Sequence, residues 1–197
     1  MLLAIRTGHA QPGLTAPTPV PEAPSWNVGL HLGPGYLYGD EELSGMSIAG
    51  RLELGRYLRD DIALQLTLGM NPPVSHDLGG GYGDGPTGRQ SFFIAVVAEH
   101  HAGDFFAGIG AGAVRETTDY VWWGNDGLGP TNAYDKTYER FGVVGLARLG
   151  MEKPMKGRFF FTITLEALVM RLAATHDVMS NEWTYVGSLD IGVRYRW

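Results

Sequence analysis

The stretch Ile62-Ala63-Leu64-Gln65-Leu66-Thr67-Leu68-Gly69-Met70 decides the fold. Every second residue is large and apolar, and those between are small or polar. Side chains on a strand alternate between two faces, so this strict period of two marks a strand with one apolar face. In a helix the same leucines would scatter around the whole circumference.

The pattern recurs on both sides of this segment. Upstream, Trp26, Val28, Leu30, Leu32, Tyr36 and Tyr38 oppose Asn27, Gly29, His31, Gly33 and Gly35. Met46, Ile48, Leu52 and Leu54 oppose Ser47, Ala49, Arg51 and Glu53. Downstream, Phe92, Ile94, Val96 and Ala98 oppose Glu99, and Phe105, Ala107, Ile109, Ala111 and Ala113 alternate with glycines. Phe141, Val143, Ala147 and Leu149 oppose Arg140, Gly142 and Arg148. Phe159, Phe161, Ile163, Leu165 and Val169 oppose Thr162, Thr164 and Glu166. The last segment sets Tyr185, Leu189, Ile191, Val193, Tyr195 and Trp197 against Thr184, Ser188, Asp190, Arg194 and Arg196. Eight strands are predicted. Tight turns lie near Asp60, Gly103 and Pro154, and the longer connections are 71–89, 117–136 and 173–183. Short turns at one end and long loops at the other fit an all-β, antiparallel, up-and-down transmembrane barrel over 26–197.

The chemistry of the faces sets which one points out. A soluble barrel of eight strands packs its apolar face inward. Here the other face carries Gly, Ser, Thr and charges, which suit a narrow lumen, so the apolar face is assigned to lipid. Arg51, Glu53, Glu99, Arg148, Glu166, Asp190 and Arg194 then fall in the lumen and are expected to pair as a network. Phe93, Val97, Val144, Leu168 and Met170 share that register and form either an apolar plug or an apolar pocket. Arg56, Arg115 and Arg171 fall in the lipid register, but at strand ends, where a long side chain reaches the interface. Trp26, Phe105, Phe159, Tyr195 and Trp197 gather at one rim, and Tyr36, Tyr38, Phe92, Phe141 and Tyr185 at the other, as an aromatic girdle would.

Composition narrows the function. The 197 residues include no cysteine, which excludes disulfides, thiolate metal sites and cysteine nucleophiles. A net charge of −6 argues against a nucleic-acid partner. No apolar run is long enough for a membrane-spanning helix. Residues 1–10 end in Gly8-His9-Ala10, like the remnant of a secretion signal. Residues 11–25 carry five prolines and read as an extended periplasmic arm.

The stretch from Tyr185 to Trp197 is similar to the last strand of bacterial outer-membrane proteins, where an alternating strand ends on an aromatic residue. The chain resembles the small-barrel group that includes the OmpA transmembrane domain, OmpX and OmpW. The resemblance implies an outer-membrane location with both termini periplasmic, and contact with outer-membrane lipid and lipopolysaccharide. It also makes Tyr195 and Trp197 an assembly signal read by the barrel-assembly machinery.

Candidate chemistry is sparse. His76-Asp77 with Ser75 and His176-Asp177 with Ser180 contain the residue types of nucleophilic hydrolysis, as in the barrel enzymes that act on lipid A. Adjacent His and Asp do not readily hydrogen-bond ring to carboxylate, so these residues are read as loop polarity. His100 and His101 are neighbours on a strand and face opposite ways, so no metal site is expected. Gly79–Gly85 does not lead from a strand into a helix and is no phosphate loop. The external loops read as acidic: Asp40, Glu41, Glu42, Asp77, Asp84, Asp119, Asp126, Asp135, Asp177 and Glu182 oppose only Arg89 and Lys136. The expectation is a non-enzymatic structural or surface-interaction barrel with a charge-plugged lumen and no cofactor. An OmpW-like transporter of small apolar molecules is the alternative, and a lipid-A-modifying enzyme the third reading. The sequence names no loop partner.

Overall fold

The computed structural model describes residues 26–39, 44–75, 85–125, 130–173 and 182–197. Eight strands follow one another: β1 (Trp26–Gly39), β2 (Gly45–Arg59), β3 (Ile62–Ser75), β4 (Gly85–Ala102), β5 (Phe105–Asn125), β6 (Pro130–Pro154), β7 (Phe159–Leu172) and β8 (Glu182–Arg196). Each pairs antiparallel with the next, and β8 returns to β1, so the sheet closes and leaves no edge. Trp26 and Trp197 exchange two backbone hydrogen bonds, at 3.2 and 3.1 Å, across the closure.

Register sets the tilt. Partners followed from Asn27 through Gly55, Gln65, Val97, Gly110, Leu146, Leu168 and Val186 return to β1 at Leu37, ten residues further along. A stagger of that size tilts the strands by roughly 40° and leaves an interior just wide enough for side chains.

One end carries the tight turns at 60–61, 103–104 and 155–158. Gly103 and Gly157 supply the left-handed backbone there, with φ of 63° and 73°. The other end carries the longer connections. Strands run further towards them than the hydrophobic pattern predicts. β3 continues to Ser75, β4 starts at Gly85, and β5 and β6 pair from Thr118↔Tyr138 out to Asn125↔Pro130. Much of 71–89 and 117–136 is therefore strand. Lipid enforces alternation only across an apolar band of about 25 Å; beyond it the backbone still pairs, but the side chains need not alternate.

The faces follow the sequence. Leu64 and Leu66 point outward, 43% and 39% exposed, as do Leu30, Leu52, Leu54, Ile94, Ile109, Leu149, Leu165 and Ile191. Arg56 stacks on Trp26 at one rim and Arg171 on Trp183 at the other, each guanidinium 5.5 Å from the ring centre.

Candidate functional site

The lumen is filled in three layers. Towards the tight-turn end, inward positions of β2, β4, β6 and β8 bring Glu53, Glu99, Arg148, Glu152 and Arg194 together. Arg194 reaches Glu53 at 2.8 Å, Glu99 at 3.3 Å and Glu152 at 3.4 Å. Arg148 pairs with Glu53 and, at 2.6 Å, with Glu99. His31 lies 3.2 Å from Glu53, and His101 lies 3.2 Å from Glu99, between the rings of Tyr57 and Phe106. One step deeper, Arg51 Nε donates to Glu166 at 2.7 Å. Its remaining nitrogens donate to the Gly50 and Met70 carbonyls and to Asn71 Oδ1. Parity explains why these charges point inward: each lies one residue away from a lipid-facing apolar side chain.

Above them is an apolar layer. Leu37, Phe93, Val114, Val144, Leu146, Leu168, Met170 and Val186 are at most 4% exposed and pack across the lumen. Arg51 caps this layer from below, its guanidinium 4.9 Å from the centre of the Phe93 ring.

A second charged layer closes the loop end. Arg89 pairs with Glu116 at 2.6 Å and with Glu182 at 2.8 Å, and Arg140 pairs with the same two carboxylates at 2.5 and 2.7 Å. The four make a ring of alternating sign drawn from β4, β5, β6 and β8. Arg89 also donates to Thr184 Oγ1 at 2.6 Å. All four ring members are at most 2% exposed. Burying four charges is tolerable because each has two opposite partners.

The structure gathers six of the seven predicted lumen charges, Arg51, Glu53, Glu99, Arg148, Glu166 and Arg194, into ion pairs. Asp190 is buried with them, but among the described residues no basic side chain is within ion-pair distance; it accepts from Ser188 at 3.0 Å. Phe93, Val97, Val144, Leu168 and Met170 are all buried inward, in contact with one another or their neighbours, not around an opening. A groove lies on the outer wall, over Ala98, Ala107, Ile109, Ala147, Leu149 and Leu165.

Arg89 and Glu182 are a correction: read as solvated loop charges, they sit inside the ring. Sequence parity carried a signal, since both lie in register with inward positions of their own strands, but no flanking alternation drew attention to it. Glu116, Arg140, Glu152, His31 and His101 were also missed as lumen partners. His100 and His101 do face opposite ways, His100 being 63% exposed at its side chain and His101 7%. His76, Asp77, Gly79–Asp84, His176, Asp177 and Ser180 lie outside the described residues, as do Asp40, Glu41, Glu42 and Asp126. So do the side chains of Ser75, Asp135, Tyr120, Trp122 and Trp123.

Neither a protein-family model nor a curated protein sequence matches the chain. Solved structures do. Ail, the attachment invasion locus protein of Yersinia pestis, superposes with a TM-score of 0.56 at 10% identity, covering 88% of this chain and 99% of that one. Neisserial surface protein A gives 0.53 at 11% identity, over 87% and 97%. A major outer membrane protein from Thermus thermophilus gives 0.53 at 12% identity, over 87% and 99%. At this identity the likeness is one of architecture: the chain has the fold of the small eight-stranded outer-membrane β-barrels.

Proposed function

We propose that this chain is a non-enzymatic barrel of the bacterial outer membrane that works through its wall and external loops, with a lumen closed to ions and solutes. The observation that carries the reading is the filled lumen: paired charges below, an apolar layer between, and a four-membered charge ring above. A conducting pore needs a continuous wet path, and an interior of eight strands leaves none once side chains of this size fill it. Two of the similar structures are, by name, a surface protein and an attachment protein, which supports a role at the cell surface. On this reading both described ends, Trp26 and Trp197, face the periplasm and the longer connections face outward.

Purified protein in planar bilayers tests the closed lumen. The wild type should show no steady conductance, whereas neutralising both charged layers together, Arg89, Glu116, Arg140 and Glu182 above and Arg51, Glu53, Glu99, Arg148, Glu152, Glu166 and Arg194 below, with Phe93→Ala, should open a leak. Steady wild-type conductance equal to that of the variant would overturn the proposal.

A further inference from the structure

Among the buried charges of the lower lumen, every arginine has a glutamate and every glutamate an arginine. Asp190 is left over. It is 1% exposed, and one of its oxygens, Oδ1, has no hydrogen-bond partner among the described residues. The nearby groups are already committed. Arg51 spends its nitrogens on Glu166, two carbonyls and Asn71. His31 lies on Glu53, Arg148 on Glu53 and Glu99, and Arg194 on Glu53, Glu99 and Glu152.

Two hydroxyls flank Asp190. Thr164 is its registered partner on β7, also inward and 3% exposed, and Thr164 Oγ1 is likewise without a partner. Opposed inward side chains on adjacent strands stand about 5 Å apart at Cβ, near enough to share one small ligand. Ser188 Oγ touches the other carboxylate oxygen. On the β1 side the ladder is interrupted: pairs run to Leu32↔Ile191 and resume at Gly35↔Ser188. Pro34, inside the gap, has no N–H to offer the β8 backbone. Arg51 and His31 act on Asp190 only at a distance, each being paired with another carboxylate. A buried carboxylate with no ion pair among the described residues, beside an orphaned hydroxyl, is costly unless something positive completes it.

We propose that Asp190 and Thr164 hold one small monovalent cation inside the barrel, in the manner of sodium. Asp190 is the one carboxylate of this layer with no ion-paired arginine among the described residues, and a single carboxylate argues against a divalent ion. The donors are hard oxygens, which suit an alkali cation. The cation neutralises Asp190 and is taken up as the barrel closes.

Urea unfolding of the whole protein in detergent micelles, in sodium chloride and in choline chloride at equal ionic strength, tests this. Choline is too large for the site. Sodium should raise the wild-type midpoint over choline, and Asp190→Asn should abolish that difference. Thr164→Val, which removes one donor and keeps the Asp190 carboxylate, should raise the sodium concentration for half-maximal effect about tenfold, equivalent to roughly 1.4 kcal/mol. Equal wild-type midpoints in the two salts would overturn the proposal. So would an infrared carboxylic-acid band at neutral pH that Asp190→Asn removes, since Asp190 would then hold a proton instead. A sodium effect of full size in Thr164→Val would overturn the role of that hydroxyl. None of these outcomes bears on conductance, so the closed lumen stands or falls separately.

Discussion

At Gly69 a Cβ would lie 2.1 Å from the Phe93 ring on the neighbouring strand, so the ring occupies the space a side chain would take. Gly69→Val should expel Phe93 from the apolar layer and destabilise the refolded protein by about 1–3 kcal/mol, the usual cost of overpacking, as read from urea unfolding. Charge behaves differently from volume. Glu166→Ala would leave Arg51 buried without its carboxylate and should cost about 3–5 kcal/mol. Adding Arg51→Met should recover most of that loss, because the cost lies in the orphaned charge and not in the missing pair. A double variant as unstable as Glu166→Ala alone would show that the pair has a further role. Inward orientation of Arg51 and Glu166 was legible in the sequence, because each neighbours a lipid-facing residue. Their partnership was not: they lie 115 residues apart, and the barrel's stagger decides which inward residues share a level.

Among the elements, the β5–β6 hairpin departs most from expectation. Registered pairs tie β5 to β4 no further than Val121, and β6 to β7 no further up than Gly142. Past those points, apart from the Ala173 N–H donated to the Phe141 carbonyl, the registered pairs of the two strands among the described residues are with each other. Replacing 123–133 by a two-residue Asn-Gly turn between the paired Trp122 and Tyr134 should therefore leave urea resistance of the barrel within about 0.5 kcal/mol, the usual range for changes at the surface. A large loss would mean that the ribbon is part of the barrel's stability. β8 makes the opposite case, since it closes the sheet on β1 and its rim rings stack, Tyr195 on Trp197 at 5.8 Å between centres. Trp197→Ala keeps the backbone bonds to Trp26, so refolding in detergent should be nearly unchanged. If the terminal aromatic is the assembly signal its resemblance implies, the amount assembled in cells should fall. Wild-type levels in cells would remove that role. The hairpin was read as loop because Gly124, Gly127 and Pro130 break the alternation there, whereas β8 keeps it to the last residue.

For the molecule as a whole, the outer wall and the lumen answer to different solvents. Ile109, 73% exposed in the middle of the apolar band, should tolerate arginine poorly, at a cost of about 2–4 kcal/mol in lipid vesicles. Met46, equally exposed but at the loop-end rim, should accept it for about 0–1 kcal/mol. Equal costs at the two sites would contradict the depth assigned to the band. Sequence alone determined the strand number, the antiparallel order, the lipid-facing set and the inward parity of the predicted charges. It could do so because lipid leaves no alternative to alternation: each apolar residue must fall on the same side of a two-residue repeat. Only the tertiary structure decided which inward groups meet. Closure with a ten-residue stagger brings Arg89, Glu116, Arg140 and Glu182 from four strands into one ring, stacks an apolar layer beneath it, and leaves Asp190, among the described residues, with no arginine at ion-pair distance. Register between strands is a property of the closed sheet, and no local pattern within a single strand encodes it.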